Sequence, residues 1–308
     1  MPLSPELQDL AARVSNWGRW GADDRRGTLN LIDEAAVARG MAAVRRHTVI
    51  DLSMPFDEDG PQLGFIEGRT NPTRTMTQIN HSMSGNPDDF VSSDDSVQMG
   101  IQACTHWDAL AHVGYSGLLY NGVSMDTTTE AGSSELSIDN VGPVVSRGIL
   151  LDIPHMHGLH HFEDGHPISG DDLQAAADAA GVEVLPGDVL CVRTGAMHWF
   201  KSGDKVHYSV PTAGIATTAI EWIRSHDVAA VATDSIVFEV YPPEFPDIML
   251  PVHMILIRDV GLTQGQNFDF EELAAVCHAA GQYDFLLVAN PLPFTGAVGG
   301  PVAPTAIL

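Results

Sequence analysis

Basic residues are scarce in this chain of 308 residues: 15 Lys and Arg stand against 40 Asp and Glu, a formal net charge of −25. A surface of that sign repels phosphates and forfeits the counterion release that drives nucleic-acid binding, so nucleic acid is excluded as a partner and anionic membranes are disfavoured. No run approaches the roughly 20 uninterrupted apolar residues that a membrane helix requires. The opening MPLSPELQDLAARVSNW has no basic region followed by an apolar one, so no secretory signal is read there and a cytoplasmic location is expected. Cysteine is equally sparse. Cys104, Cys191 and Cys277 are odd in number and far apart, which predicts reduced buried thiols rather than a disulfide framework. Also missing are a Gly-x-Ser-x-Gly elbow, a phosphate loop and a dinucleotide fingerprint, so serine-hydrolase and nucleotide chemistry lose their usual support. Neither an internal repeat nor a low-complexity segment is present.

What is present is a packing composition, 44% apolar and only 18% charged, long enough to bury a large core. Apolar spacing of three and four residues predicts helices in ELQDLAARVSNW and DEAAVARGMAAVRR, within an N-terminal helical segment 1–46, with Asp33 as an N-cap. HTVIDLSMPF reads as a strand. Residues 57–96 are rich in Gly, Pro, Asn, Asp and Ser and predict a long irregular excursion walling a site. SVQMGIQA, VSRGILLDI, DVLCVRTG, VAAVATDSIVF and YDFLLVANPL predict buried strands. SGDDLQAAADAAG, capped by Ser169 or Gly170 and stopped by Gly181, predicts a helix, as do PTAGIATTAIEWIRSHD and FDFEELAAVCHAAG. The sum is one β-rich α/β domain over 1–308.

Fourteen histidines are the unusual feature, since imidazole binds metals and moves protons near neutrality. The informative stretch is Gln102-Ala-Cys-Thr-His106-Trp-Asp108-Ala-Leu-Ala-His112. If residues 101–108 are extended, Gln102, Cys104, His106 and Asp108 share one face, and an imidazole and a carboxylate two residues apart suit a borderline divalent ion such as Zn²⁺ or Mn²⁺. A hydrogen-bonded His–Asp pair is the structural alternative. His112, four residues further on, suits a general acid or base beside the ion. Trp107 and Cys104 read as packing.

These residues resemble the His-x-Gly-Thr-His-x-Asp-x-Pro-x-His motif of the cyclase superfamily that includes bacterial kynurenine formamidase and isatin hydrolase. The resemblance extends to NWGRWGADDRRGTLNLI, LLYNG, PGDVLCVRTG, PVHMILIRDVGL and ANPLPFTGAVGGPVAPTAIL, most of the chain. It implies a swivelling β/β/α-type domain with a central barrel-like sheet, a small-molecule substrate and a homodimer or homotetramer. Residue by residue it implies metal ligation by His106 and Asp108, acid/base chemistry by His112 and a further histidine near the metal, His253. Two positions depart from the pattern: Gln102 replaces the first histidine, and Gln266 stands where formamidases have a glutamate. An amide offers only a neutral oxygen, so one divalent ion, Mn²⁺ or Zn²⁺, held by His106, Asp108, Gln102 and His253 is the economical expectation, with Gln266 positioning water or substrate.

The implied activity is metal-dependent hydrolysis of an amide, cyclic amide or lactone. A metal-dependent lyase or ring-closing enzyme, and a non-catalytic binding protein with a degraded metal site, remain the alternatives. The cluster His155, His157, His160, His161 and His166 lies among Gly, Pro and acidic residues and predicts a solvated loop, although such density also suits a metal. His81 and His198 are candidate pocket residues, and Tyr120 and Asn121 candidate substrate contacts or a turn. Asp234 ends a strand where it either orients site residues or caps. Arg193 is expected to find a carboxylate. The N-terminal segment and the C-terminus GAVGGPVAPTAIL are expected to pack on a neighbouring subunit.

Overall fold

Strands buried on both faces read as continuous apolar runs, and two of them form the middle of the molecule. The computed structural model describes residues 3–308. In Val145–Asp152, Ile149 and Leu151 point into one core and Leu150 into another; in Val189–Arg193, Leu190 and Val192 oppose Val189 and Cys191 in the same way. These two strands, then Ala230–Thr233 and Thr263–Gln266, pair in parallel. Antiparallel strands extend both sides. Asp284–Val288, Thr305–Ile307 and Val49–Asp51 lie on one flank, His106–Asp108 and Gly299–Pro301 on the other, giving a nine-stranded sheet. The sheet curls into a half-barrel with helices against it, the β-rich α/β architecture with a barrel-like sheet that the residues predict.

Helices cover both faces. Pro5–Val14, Gly170–Ala180 and Ile220–Ser225 bury Leu7, Leu173 and Ile223 in the first core. Glu271–Ala280 buries Leu273 and Cys277 in the second, beside Trp107 and Phe285. Their ends follow the expected chemistry: Asp33 accepts the Ala36 N–H at 2.8 Å, Ser169 and Asp172 form a reciprocal capping box, and Gly181 ends its helix in the left-handed region at φ 66°. All three cysteines are free and buried; burial pushes the Cys104 and Cys277 thiols up to about 12. Arg193 pairs with Asp152 at 2.9 Å and with Glu271 at 2.8 Å, the carboxylate partners its burial demands.

Several expectations are corrected. Residues 57–96 are not irregular throughout: Thr73–Ser82 and Val91–Gln98 pair as an antiparallel arm whose residues are nearly all exposed. With neither face buried, the arm carries no apolar alternation to betray it. SVQMGIQA is not a buried strand; it ends the arm at Gln98 and then turns. Residues 101–105 turn as well, so only His106–Asp108 is extended. Thr105 explains the break, because its hydroxyl accepts the Met54 N–H and donates to the Asn267 carbonyl in place of a regular ladder. The chain ends pack on this chain's own core: Leu3, Leu7 and Leu10 enter the first cluster, and Thr305–Ile307 lies inside the sheet.

Two predictions follow from packing and charge in this sheet. A Cβ on Gly265 would meet the Phe268 ring at 2.7 Å and the Trp107 ring and Ala232 Cβ at 2.8 Å. Gly265→Ala should therefore destabilise the fold by about 1–3 kcal/mol in urea melts; wild-type stability would show that the strands can separate freely. Asp234, just past Ala230–Thr233, closes the turn after the neighbouring strand Val189–Arg193 by accepting from the Thr194 N–H and hydroxyl and the Gly195 N–H at 2.7–2.8 Å. Burial pushes its carboxyl up to about 6, against Arg193 and the Thr194 donors. A raised native value favours the fold at low pH, and that contribution fades as pH rises from about 4 to about 6. Asp234→Asn should remove this decline from a series of urea melts across that range, whereas an unchanged slope would mean that the carboxyl titrates normally.

Candidate active site

The strand His106–Asp108 lies between Thr263–Gln266 and Gly299–Pro301, with His106 opposite Gln266 and Pro301, and Asp108 opposite Gln264 and Gly299. Strand alternation puts His106 and Asp108 on one face and Trp107 on the other. Trp107 packs edge-on against Phe268 with ring centroids 5.1 Å apart, and its indole N–H donates to the Ala289 carbonyl. The tryptophan is core, and it anchors the two polar residues beside it.

A carbonyl can only accept, so the 2.7 Å contact with the Cys104 carbonyl puts the His106 proton on Nδ1. His106 Nε2 then presents a lone pair to Asp108 Oδ1 at 3.4 Å. Both atoms are buried, and neither has a hydrogen-bond partner among the described residues. His112, brought back by a turn in which its N–H donates to the Ala109 carbonyl, places Nε2 3.7 Å from the same oxygen and leaves 22% of its side chain exposed. The other carboxylate oxygen, Asp108 Oδ2, accepts from Gln266 Nε2 at 2.7 Å. That amide nitrogen also stands 3.2 Å from His253 Nε2. One consistent assignment satisfies the chain: the Gln266 amide donates both hydrogens, and His253 donates from Nδ1 to Glu239. Glu239 also accepts the backbone N–H groups of Val252 and His253 at the start of Pro251–His253.

Electrostatics follow from this packing. Burial opposes ionisation of Asp108, but the positive charge that His112, His106 and His253 carry when protonated outweighs it and holds the carboxyl well below the usual range. Burial lowers His112; Asp108 opposes that shift, while His253, Arg69 and His106 reinforce it. The site is thus an ionised carboxylate beside a neutral imidazole. Arg69 is lowered by burial and held up by Asp108, and its side chain has no carboxylate partner among the described residues.

An imidazole nitrogen and a carboxylate oxygen that face each other, both bearing lone pairs and both shielded from water, repel unless a cation or proton stands between them. Nitrogen and oxygen donors of this kind suit a borderline divalent ion, so His106 and Asp108 fit the implied metal.

Of the residues singled out by sequence, His106, Asp108, His112, His253 and Gln266 come together in space. Gln102 lies in the turn before the strand, its amide so close to Gly299 that a Cβ there would meet Nε2 at 2.7 Å. His81 lies on the exposed arm, and His198 stacks on His161 at 4.0 Å. The Tyr120 hydroxyl donates to Asp24, while Asn121 occupies a left-handed turn at φ 56°. Glu239 belongs to the site without having been expected there, and Arg69 is close enough for its charge to act on Asp108 and His112. For Arg69 the only signal was the rarity of basic residues; for Glu239, 14 residues before His253, there was none.

Residues 50–240 match the Cyclase family. The crystal structure of a novel cyclase is 34% identical, covers 96% of this chain and 99% of its own, and superposes with a TM-score of 0.86. Isatin hydrolase A from Ralstonia solanacearum shares the fold at 18% identity and a TM-score of 0.62, covering 88% of this chain and 95% of its own. A predicted metal-dependent hydrolase from Bacillus stearothermophilus does so at 17% and 0.54, covering 84% and 97%. No curated protein matches. With the matched segment holding the His106–Asp108–His112 cluster and a relative aligned along nearly the whole length, the chain belongs to the Cyclase family.

Proposed function

We propose that this protein is a metal-dependent hydrolase that opens an amide, cyclic amide or lactone in a small molecule of the cytoplasm. The observation that carries the reading is the buried, unpartnered approach of His106 Nε2 and Asp108 Oδ1 beside neutral His112. His106 and Asp108 would hold one divalent ion, Mn²⁺ or Zn²⁺, with Gln102 as a further donor implied by the resemblance; His253 would join them only by exchanging its Gln266 contact for the ion. Such an ion, when bound, polarises a carbonyl and lowers the pKa of water.

His112 combines a free lone pair with an exposed edge, so it can take the proton of attacking water and return it to the leaving nitrogen or oxygen. Glu239 fixes the tautomer of His253, and Gln266 ties that imidazole to Asp108, which keeps the carboxylate oriented. Arg69 supplies positive charge beside a reaction that creates an oxyanion and then a carboxylate. The hydrolase names of the fold relatives agree with this chemistry.

A screen of formyl amides, cyclic amides and lactones with added Mn²⁺ or Zn²⁺, run in ¹⁸O-labelled water, tests the reading. Label should enter the product, and an unlabelled product would favour a lyase. His112→Ala should lower kcat by about 10²–10⁴-fold while keeping the metal, His106→Ala should release the metal, and Arg69→Ala should raise KM. Normal turnover by His112→Ala would remove the proton-transfer role.

Homodimer or homotetramer assembly belongs to the same proposal. Its support is the arm, whose strands pair only with each other and expose Met76, Ile79, Met83, Phe90 and Val97. Light scattering should give a multiple of the 33.0 kDa chain mass, and Ile79→Asp with Phe90→Asp should lower it. A monomeric wild-type mass at micromolar concentration would dispose of the assembly.

A further inference from the structure

The histidine-dense loop is left unused by the site at Asp108. It leaves the short helix Ile153–Met156, runs from His157 to His166, and returns to the strand Pro167–Ile168 and the capping box of Gly170–Ala180. We propose that His157, His166 and Asp172 form a second metal site, for a divalent transition ion such as Zn²⁺, which fastens this loop to the start of that helix.

One ligating atom from each of the three residues lies within 4.8 Å of the other two. His166 Nε2 is buried without a hydrogen-bond partner among the described residues. Its ring is held in plane by Phe162, stacked at 4.1 Å with 6° between planes, while the His157 ring meets it edge-on with centroids 5.5 Å apart. Asp172 is equally constrained. One oxygen, Oδ2, accepts from the Ser169 N–H at 2.8 Å and hydroxyl at 2.6 Å, which orients the carboxylate and leaves Oδ1 without a donor among the described residues.

Two imidazoles and one carboxylate form a borderline donor set, and the exposure of His157 leaves room for water to complete the coordination. The charge of the ion would be offset by Asp172. Because the ligands come from the two ends of the loop and from the following helix, binding would close three chain segments at one point. The site shares no residue with His106, Asp108 or His112, so it stands or falls independently of the proposed hydrolysis.

The test uses the full-length chain without an affinity tag, carrying His106→Ala to disable the first site. Stoichiometric Zn²⁺ titrated by calorimetry should bind at one equivalent and raise Tm, and Co²⁺ in its place should give visible d–d absorption. Adding His157→Ala, at an exposed position where misfolding is not expected, should abolish that equivalent, the Tm rise and the Co²⁺ band. His166→Gln should do the same. If His106→Ala does not fold, the comparison is between wild type and His157→Ala, which should differ by one zinc equivalent. Equal stoichiometry and equal Tm shift with and without His157, or no zinc bound by folded His106→Ala, overturns the site.

Discussion

An ionised carboxylate buried in a sheet is expensive, and the placement of Asp108 governs most of what surrounds it. Desolvating such a group costs several kcal/mol even after relaxation, so each oxygen must find compensation. Oδ2 finds it in the Gln266 amide, which passes the constraint through His253 to Glu239 and the helix Pro251–His253. Oδ1 faces two imidazole nitrogens and no hydrogen-bond donor. The asymmetry divides the carboxylate into a structural side and a chemical side.

The same geometry gives meaning to the amide at position 266. A carboxylate there would place like charge within about 3 Å of Asp108 and could only be tolerated with additional cations in the site. Gln266 instead supplies two hydrogens, one to Asp108 and one to His253, and keeps the net charge of the site low. That fits a single-ion centre. The acidity of the chain accordingly belongs to its surface, where Asp and Glu are solvated, while the interior carboxylates have partners: Asp152 with Arg193, Glu239 with His253, and Asp234 with the backbone of the turn at Thr194 and Gly195.

Legibility in the sequence tracked burial. Val145–Asp152 and Val189–Arg193 were visible because both faces are apolar, and the helices because Ser, Asp and Gly mark their ends. The arm was invisible for the opposite reason: its pairing is made by backbone groups, with no buried face to impose a pattern. The strand through His106 was read five residues too long, since the Thr105 side chain replaces ladder bonds with contacts to residues 54 and 267, which no local rule anticipates.

By itself, the sequence determined the acidic net charge, the β-rich α/β class, the state of the cysteines and the nearness of His106, Asp108 and His112, because each of these depends on composition or on residues within one short segment. Only the tertiary structure decided that Gln266 reaches Asp108 and links it through His253 to Glu239, that Gln102 packs against Gly299, and that His157 and His166 come within reach of Asp172. Those meetings are set by sheet register and loop closure. Both are outcomes of burying the whole core at once, so no stretch of chain read alone contains them.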